Sequence, residues 1–183
     1  MGKEKIDKTK AIINDLLFGD EEKALKAINE IKAEGDDNLI LPLIELWNDT
    51  DSPKIEDAIL ELISDIKSTT SSEKVMEALT NPKFEKLHLP LLTTIWNSDV
   101  DYSEYLTDFV SIATQKDFMN TLECLTIIEN LNGPFEEHHI LDSQIILREY
   151  AEKHQNTKDV DPKKLQLLQE ISEILIQFEE NLD

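Results

Sequence analysis

Aromatic and acidic residues cluster in the segment WNSDVDYSEY at residues 96–105. Aromatic rings beside carboxylates suit a peptide that bears Arg or Lys, because a ring can stack on the cation while a carboxylate pairs with its charge. The alternative is that the aromatic residues close apolar helices inside the core, and for Trp47 and Trp96 this core interpretation is favoured. The residues predicted to contact a partner are Asp99, Asp101, Tyr102, Glu104, Tyr105 and Asp108.

Two adjacent histidines follow in the segment GPFEEHHIL at residues 133–141. Neighbouring side chains on a helix point about 100° apart, so His138 and His139 cannot chelate one metal ion as a pair four residues apart would. Only His138 and Asp142 have that spacing, and zinc sites normally supply three or four protein ligands. The sequence therefore predicts no metal site and no cofactor.

Cys124 is the one thiol of the chain, and it lies in the apolar run LECLTII. A catalytic pair would require His138 or His139 to fold against it, and acidic surroundings would raise the pKa of the thiol rather than lower it. Packing is the simpler role for such a cysteine. The four glycines are isolated from one another, so no phosphate-binding loop is present either. We expect a protein that is not an enzyme.

The charge balance is strongly acidic, with 39 acids against 18 bases and a net charge of −21. Such a surface repels phosphate backbones and anionic lipids, so it predicts no nucleic-acid partner and no membrane partner. Between Lys86 and Arg148 the only lysine or arginine is Lys116, whereas the same interval holds ten acids. An acidic face of this kind favours a basic protein partner, although acidity also serves solubility.

Cysteine usage and the N-terminal sequence indicate the compartment. A single cysteine excludes an internal disulfide and fits a reducing environment. The segment MGKEKIDKTKAII lacks the apolar core of a signal peptide, and no apolar run approaches the length of a membrane span. The expected location is cytoplasmic.

Helix start and stop signals punctuate the chain and predict about ten helices with no defensible strand pattern. Two of these starts are predicted as capping boxes, Thr70 with Glu73 and Asp101 with Glu104. We expect one domain over residues 1–183, with a polar linker at 154–161 before a terminal capping helix at 162–181.

Residues 39–66, LILPLIELWNDTDSPKIEDAILELISDI, place an almost wholly apolar helix directly before an amphipathic one. This segment resembles a HEAT unit. The matching positions are Leu41, Pro42, Leu43, Leu46 and Asp49 in the first helix and Ile55, Ala58, Leu62 and Ile66 in the second. Glu56 departs from the pattern, since HEAT units often carry an Arg there that links neighbouring repeats. A second segment, LHLPLLTTIWNSDVD from Leu87, is similar to the start of the first segment and lies three predicted helices further along the chain.

The resemblance implies an all-α fold, a right-handed α-α superhelix of the HEAT and armadillo-like solenoid type, with about ten helices in antiparallel pairs. It also implies a non-enzymatic protein–protein interaction module or scaffold, which would bind a basic or helical segment of a partner through an acidic face. One alternative is an acidic mimic of DNA that inhibits a nucleic-acid-binding protein. An enzyme is less favoured, because the alkylpurine DNA glycosylases built on HEAT-like repeats need a basic groove.

Overall fold

Helices are the only regular secondary structure in the parts of the chain that the structure describes. We analysed a computed structural model that describes residues 2–34, 36–155 and 160–182. Within these ranges there is no strand, and the predicted all-α class and the predicted number of helices are confirmed. The ten helices are α1 (Gly2–Phe18), α2 (Glu21–Glu34), α3 (Ile40–Asp49), α4 (Pro53–Ser64), α5 (Thr69–Leu79), α6 (His88–Asn97), α7 (Leu106–Gln115), α8 (Phe118–Glu129), α9 (Glu137–His154) and α10 (Pro162–Glu180).

Three of the α-helices are entered through a short 3₁₀ helix, which the sequence did not predict. These turns span Asp37–Leu39 before α3, Pro82–Leu87 before α6 and Ser103–Tyr105 before α7. Helices α3 and α6 carry the two similar sequence segments, and each begins directly after a leucine and runs for ten residues. The two similar sequence segments therefore form helices that begin in the same way, after a 3₁₀ turn that ends in a leucine.

Aspartate side chains cap the starts of α8 and α10. The side chain of Asp117 accepts a hydrogen bond from the Asn120 backbone N–H at 3.0 Å, and that of Asp161 accepts one from Lys163 at 2.9 Å. Each bond satisfies a backbone donor that the first turn of a helix leaves unpaired. The following Pro162 fits because the first helical position needs no N–H donor.

The two predicted capping boxes differ from what is observed. Helix α5 begins at Thr69, two residues before the start that a Thr70 cap predicts, and its N-cap Ser68 donates its hydroxyl to Asp37 at 3.1 Å. Asp101 accepts from the backbone N–H of Ser103 at 3.2 Å, so it caps the 3₁₀ turn before α7 and not an α-helix. In both places a tertiary contact or a tighter turn replaces the local pattern.

The chain divides into two compact units, Met1–Val100 and Asp101–Asp183, and the predicted single domain over residues 1–183 stays a prediction. In each unit a helix contacts one of its neighbours in sequence and also the helix two positions along. The pairs of the first unit are α1–α2, α1–α3, α2–α4, α3–α4, α3–α5, α4–α6 and α5–α6. Those of the second are α7–α8, α7–α9, α8–α10 and α9–α10, with a smaller contact between α7 and α10. Positions 156–159 of the predicted linker lie outside the described residues.

Burial explains the contrast between the two helices of residues 39–66. Helix α3 contacts α1, α4 and α5 and buries Ile40, Leu43, Ile44 and Trp47, so it needs apolar residues on more than one side. Trp47 is 6% exposed, as its core interpretation requires. Helix α4 buries one stripe and turns the rest of its surface to solvent, which gives its amphipathic pattern.

Ion pairs link α2 to α4 near both ends of their contact. Lys54 lies 2.8 Å from Glu21 at one end, and Lys32 lies 2.7 Å from Glu61 and 3.2 Å from Asp65 at the other. Because all of these side chains are largely solvated, each pair contributes little to the stability of the fold. Glu56, at the position of the HEAT arginine, is exposed and is not part of this set.

A buried lysine joins α10 to the end of α7 in the second unit. Lys164 is 8% exposed, and its Nζ donates to the carbonyl of Thr114 at 2.9 Å and to that of Lys116. The Tyr150 ring lies 5.2 Å from the same nitrogen. Burial lowers the pKa of Lys164, and the nearby Asp117 carboxylate opposes that shift. The ammonium therefore caps carbonyls that the last turn of α7 leaves without helical partners.

We predict that Lys164→Met lowers the free energy of unfolding by roughly 1–3 kcal/mol, because two carbonyls lose a charged donor. Urea unfolding followed by circular dichroism measures the change. The matched control is Lys163→Met, which removes an exposed ammonium from the adjacent position and should change stability by less than about 0.5 kcal/mol. Equal stability of the two variants would contradict the capping role.

Candidate functional site

The residues predicted to bind a partner differ in their exposure and in the unit to which they belong. Asp99 belongs to the first unit, whereas Asp101, Tyr102, Glu104, Tyr105 and Asp108 belong to the second. The Asp99 carboxylate lies 3.2 Å from the ammonium of Lys67, so its charge is partly neutralised within its own unit. Glu104 is exposed and Tyr105 is half-buried.

Tyr102 is a core residue of the second unit. Its side chain is 3% exposed, and its ring centroid lies 6.1 Å from that of Tyr105 and 6.4 Å from that of Phe109. A ring in this position cannot stack on the side chain of a partner, so we leave Tyr102 out of the proposed binding surface. Asp101 accepts from the Ser103 hydroxyl at 2.6 Å, which gives this carboxylate a role in the turn that starts α7.

The histidine pair lies at the start of α9, close to α7. Burial raises the pKa of the half-buried Asp108 carboxyl, and His139 opposes that shift. The Thr107 hydroxyl donates to the His139 carbonyl at 3.2 Å, and His138 Nδ1 lies 3.3 Å from a carboxylate oxygen of Glu136. Among the described residues, no three His, Cys, Asp or Glu side chains are grouped as metal ligands. The hydrogen bond from Thr107 to His139 joins α7 to α9.

Trp96 was predicted to lie in the core, but 42% of its side chain is exposed. Ile95, the preceding residue, is 3% exposed and takes the core position. The next side chain on a helix points about 100° away, so Trp96 lies at the edge of the buried stripe at the end of α6.

Cys124 is fully buried in α8, as its apolar surroundings in the sequence predict. Burial raises the pKa of the Cys124 thiol strongly, and the Glu123 carboxylate adds to the shift. A nucleophilic cysteine needs the opposite change, because the thiolate is the reactive form. The structure therefore favours packing as the role of this residue.

We predict that Cys124 does not react with an aromatic disulfide reagent in the folded protein and reacts fully after urea unfolding. The reason is the combination of complete burial with a raised thiol pKa. The absorbance of the released thiolate, followed at neutral pH with and without urea, measures the rate. Rapid reaction of the folded protein would show an accessible, activated thiol.

A cleft of about 370 Å³ lies among α2, α3, α4 and α5 in the first unit, with Ile40 and Ile66 among its apolar lining residues. Its carboxylates already have partners within the fold. Asp37 accepts from the hydroxyls of Ser68 and Ser71, and Asp65 pairs with Lys32. These groups hold α5 and α2 in place, so the cleft offers few polar groups to a ligand.

A larger groove of about 510 Å³ runs between α9 and α10 in the second unit. Gln144, Leu147, Arg148, Leu165, Leu168 and Ile176 are among the residues that line it. Ten large apolar side chains are exposed in the described part of the chain, and four of them lie on these two helices: Leu141 at 42%, Ile145 at 48%, Leu165 at 42% and Ile176 at 49%. This concentration marks the groove, with the adjoining surface of α9, as an apolar surface open to solvent.

The spacing of the lining residues suits a helical ligand. Leu165, Gln169, Ser172 and Ile176 all line the groove, at steps of four, three and four residues, so they form one stripe along α10. On α9, Gln144, Arg148 and Ala151 provide a parallel wall. The Gln144 amide donates to Glu179 at 2.8 Å and joins the two helices. Two such walls form the kind of groove into which an amphipathic helix can pack.

Among the described residues, Arg148 is the only charged side chain that lines this groove. The two helices as a whole are acidic, because α9 and α10 together carry eight acids against four bases, and one of these bases, Lys164, is buried. Lys or Arg residues on the flanks of a helical ligand would therefore be attracted to the surface of these helices outside the groove lining.

Signals for this groove are only partly present in the sequence. Helical spacing on α10 predicts a buried stripe of Leu165, Leu168, Ile171, Leu175 and Phe178. Three of these are buried, but Leu165 is exposed, and Phe178 stacks on Phe135 with ring centroids 4.1 Å apart. The signal that was missed is Ile176, an apolar residue outside that stripe which shares a face with Leu165.

Comparison of the chain with protein-family models, with curated proteins and with solved structures returned no significant match. The resemblance of residues 39–66 to a HEAT unit therefore stays a prediction that rests on those residues. Among the described residues we also find no helix with the length and apolar character that a membrane span requires.

Proposed function

We propose that this chain is a non-enzymatic protein-binding module built as a HEAT-like solenoid, a right-handed superhelix of antiparallel helix pairs. The contact pattern supports the layered part of this proposal. Within each unit a helix contacts its sequence neighbour and the helix two positions along, as stacked helical hairpins do. The pairs would be α1/α2, α3/α4, α5/α6, α7/α8 and α9/α10.

The observation that carries the functional part is the exposed apolar groove between α9 and α10. Leu165 and Ile176 are roughly half exposed, and so are Leu141 and Ile145 on α9. Covering the exposed part of one such side chain contributes on the order of 1 kcal/mol. Leu165 and Ile176 line the groove together with Leu147 and Leu168 and supply apolar contact for a helical ligand, and the net negative charge of α9 and α10 favours one with basic flanks. A mimic of DNA would bind through its carboxylates and would have no use for this apolar surface.

We predict that the groove binds an 18-residue helical peptide with leucines at positions i, i+4, i+7 and i+11 and lysines on both flanks. Fluorescence anisotropy of a labelled peptide gives the affinity. Ile176→Glu should weaken binding at least tenfold, because it places a charge in the apolar stripe. Met119→Glu is the matched control, since Met119 is 46% exposed on α8 and does not line the groove.

Two further peptides separate the groove from a general attraction to an acidic protein. One has serines in place of the leucines, and the other has glutamates in place of the lysines. We expect both to bind at least about tenfold more weakly than the parent peptide, because one loses the apolar contact and the other is repelled. Equal binding of the serine and leucine peptides, or equal loss in the Met119→Glu protein, would contradict the proposal.

A further inference from the structure

We infer that Asn132 and Gly133, in the loop between α8 and α9, form a site of spontaneous deamidation that the Ser103 hydroxyl protects while the loop stays folded. The modification is independent of the proposed function, because neither Asn132 nor Gly133 lines the α9–α10 groove. Its evidence is the residue pair itself, the hydrogen bond made by the Gly133 nitrogen and the environment of the Asn132 side chain.

An asparagine followed by a glycine can lose its side-chain amide without an enzyme. The glycine backbone nitrogen gives up its proton and attacks the side-chain carbonyl carbon, a C–N bond forms, and the amide nitrogen leaves as ammonia. Water then opens the five-membered succinimide at either carbonyl, which leaves aspartate or isoaspartate. Glycine favours the attack because it has no Cβ and its backbone turns freely. Asn132 is the one asparagine of the sequence that precedes a glycine.

The folded loop holds the attacking nitrogen in a hydrogen bond. The Gly133 N–H donates to the Ser103 hydroxyl oxygen at 2.9 Å, and that hydroxyl donates to Asp101 at 2.6 Å. A hydroxyl that donates to a carboxylate is a stronger acceptor, because hydrogen bonds in a chain polarise one another. Ser103 is 3% exposed, so it is shielded from water. The attack requires the nitrogen to release its proton and turn towards Asn132, and this would break the bond to Ser103.

The Asn132 side chain is exposed but restrained. Its amide donates to the Asn130 carbonyl at 3.3 Å, which ties the group under attack to the end of α8. Exposure gives water access to the succinimide once it forms. Both restraints are hydrogen bonds at one loop, so a local opening that leaves the helices intact would release them together.

The test is incubation of the full chain at mildly alkaline pH, with and without urea, followed by peptide mass spectrometry. The method detects the replacement of NH₂ by OH at Asn132, and electron-transfer fragmentation separates isoaspartate from aspartate. We expect conversion in urea to be at least about tenfold faster than in the native protein, because two hydrogen bonds no longer oppose it. Both products should form, since water can open the succinimide at either carbonyl.

Ser103→Ala removes the acceptor of the Gly133 N–H and should speed conversion of the native protein by roughly fivefold or more. Ser143→Ala is the matched control and should convert at the wild-type rate. Ser143 is also a buried serine of the second unit, but its hydroxyl donates to the His139 carbonyl at 2.7 Å within α9. Urea unfolding of both variants shows whether they lose similar stability.

A rate that is unchanged or slower in Ser103→Ala would overturn the inference, and a slower rate would mean that Ser103 and Asp101 carry the proton away from the nitrogen. Equal acceleration in Ser143→Ala would overturn it too, because general destabilisation would then explain the effect. So would a wild-type protein that converts equally fast with and without urea. That comparison needs no variant, so it decides the matter even if Ser103→Ala does not fold.

Discussion

The packing of each helix against one neighbour in sequence and against the helix two positions along is the constraint on which the rest of this structure depends. It requires a helix such as α3, which has neighbours on several sides, to be apolar over most of its surface. Helix α4 also contacts three helices, but its buried residues form one stripe and the rest of its surface is polar. Where a helix pair has apolar residues beyond those its neighbours cover, the surplus is exposed, and Leu165 and Ile176 on α10 are the clearest case. The proposed binding groove is thus a consequence of the same layered packing that builds the core.

Polar contacts fix how the layers align, but they contribute less energy than apolar burial. The ion pairs of Lys32 and Lys54 are solvated and set the register of α2 against α4. Lys164 is different, because it is buried and its ammonium holds the end of α7 against α10. The carboxylates of Asp101 and Asp117 likewise accept hydrogen bonds from backbone N–H groups in a turn and at a helix start. Part of the acidity that marks this sequence therefore has a structural role, and acidity alone did not locate a binding surface.

Local signals were enough to predict the helices from the sequence. Caps such as Asp117 and Asp161 act within a few residues, so their effect can be read without the fold. The 3₁₀ turns and the start of α5 were missed because they depend on contacts such as that of Ser68 with Asp37, which join distant parts of the chain.

Burial at helix ends was predicted less well, for the same reason. Tyr102 was expected to be exposed and is buried, whereas Trp96 was expected to be buried and is exposed. Near the end of a helix, only the position of the adjoining elements decides which side of a residue is covered. The α9–α10 groove could not be found from periodicity alone, since Leu165 and the buried Leu168 differ in tertiary environment and not in residue type.

The central claim is that the α9–α10 groove, and not the acidic segment around residues 99–108, is the binding surface. The most direct measurement is a ¹⁵N–¹H correlation titration of the isotope-labelled protein with the Lys-flanked leucine peptide. The account predicts that the largest shift changes fall on residues 144–151 and 165–176, on both walls of the groove. Changes concentrated at residues 99–108, or spread evenly over acidic residues of all helices, would contradict it.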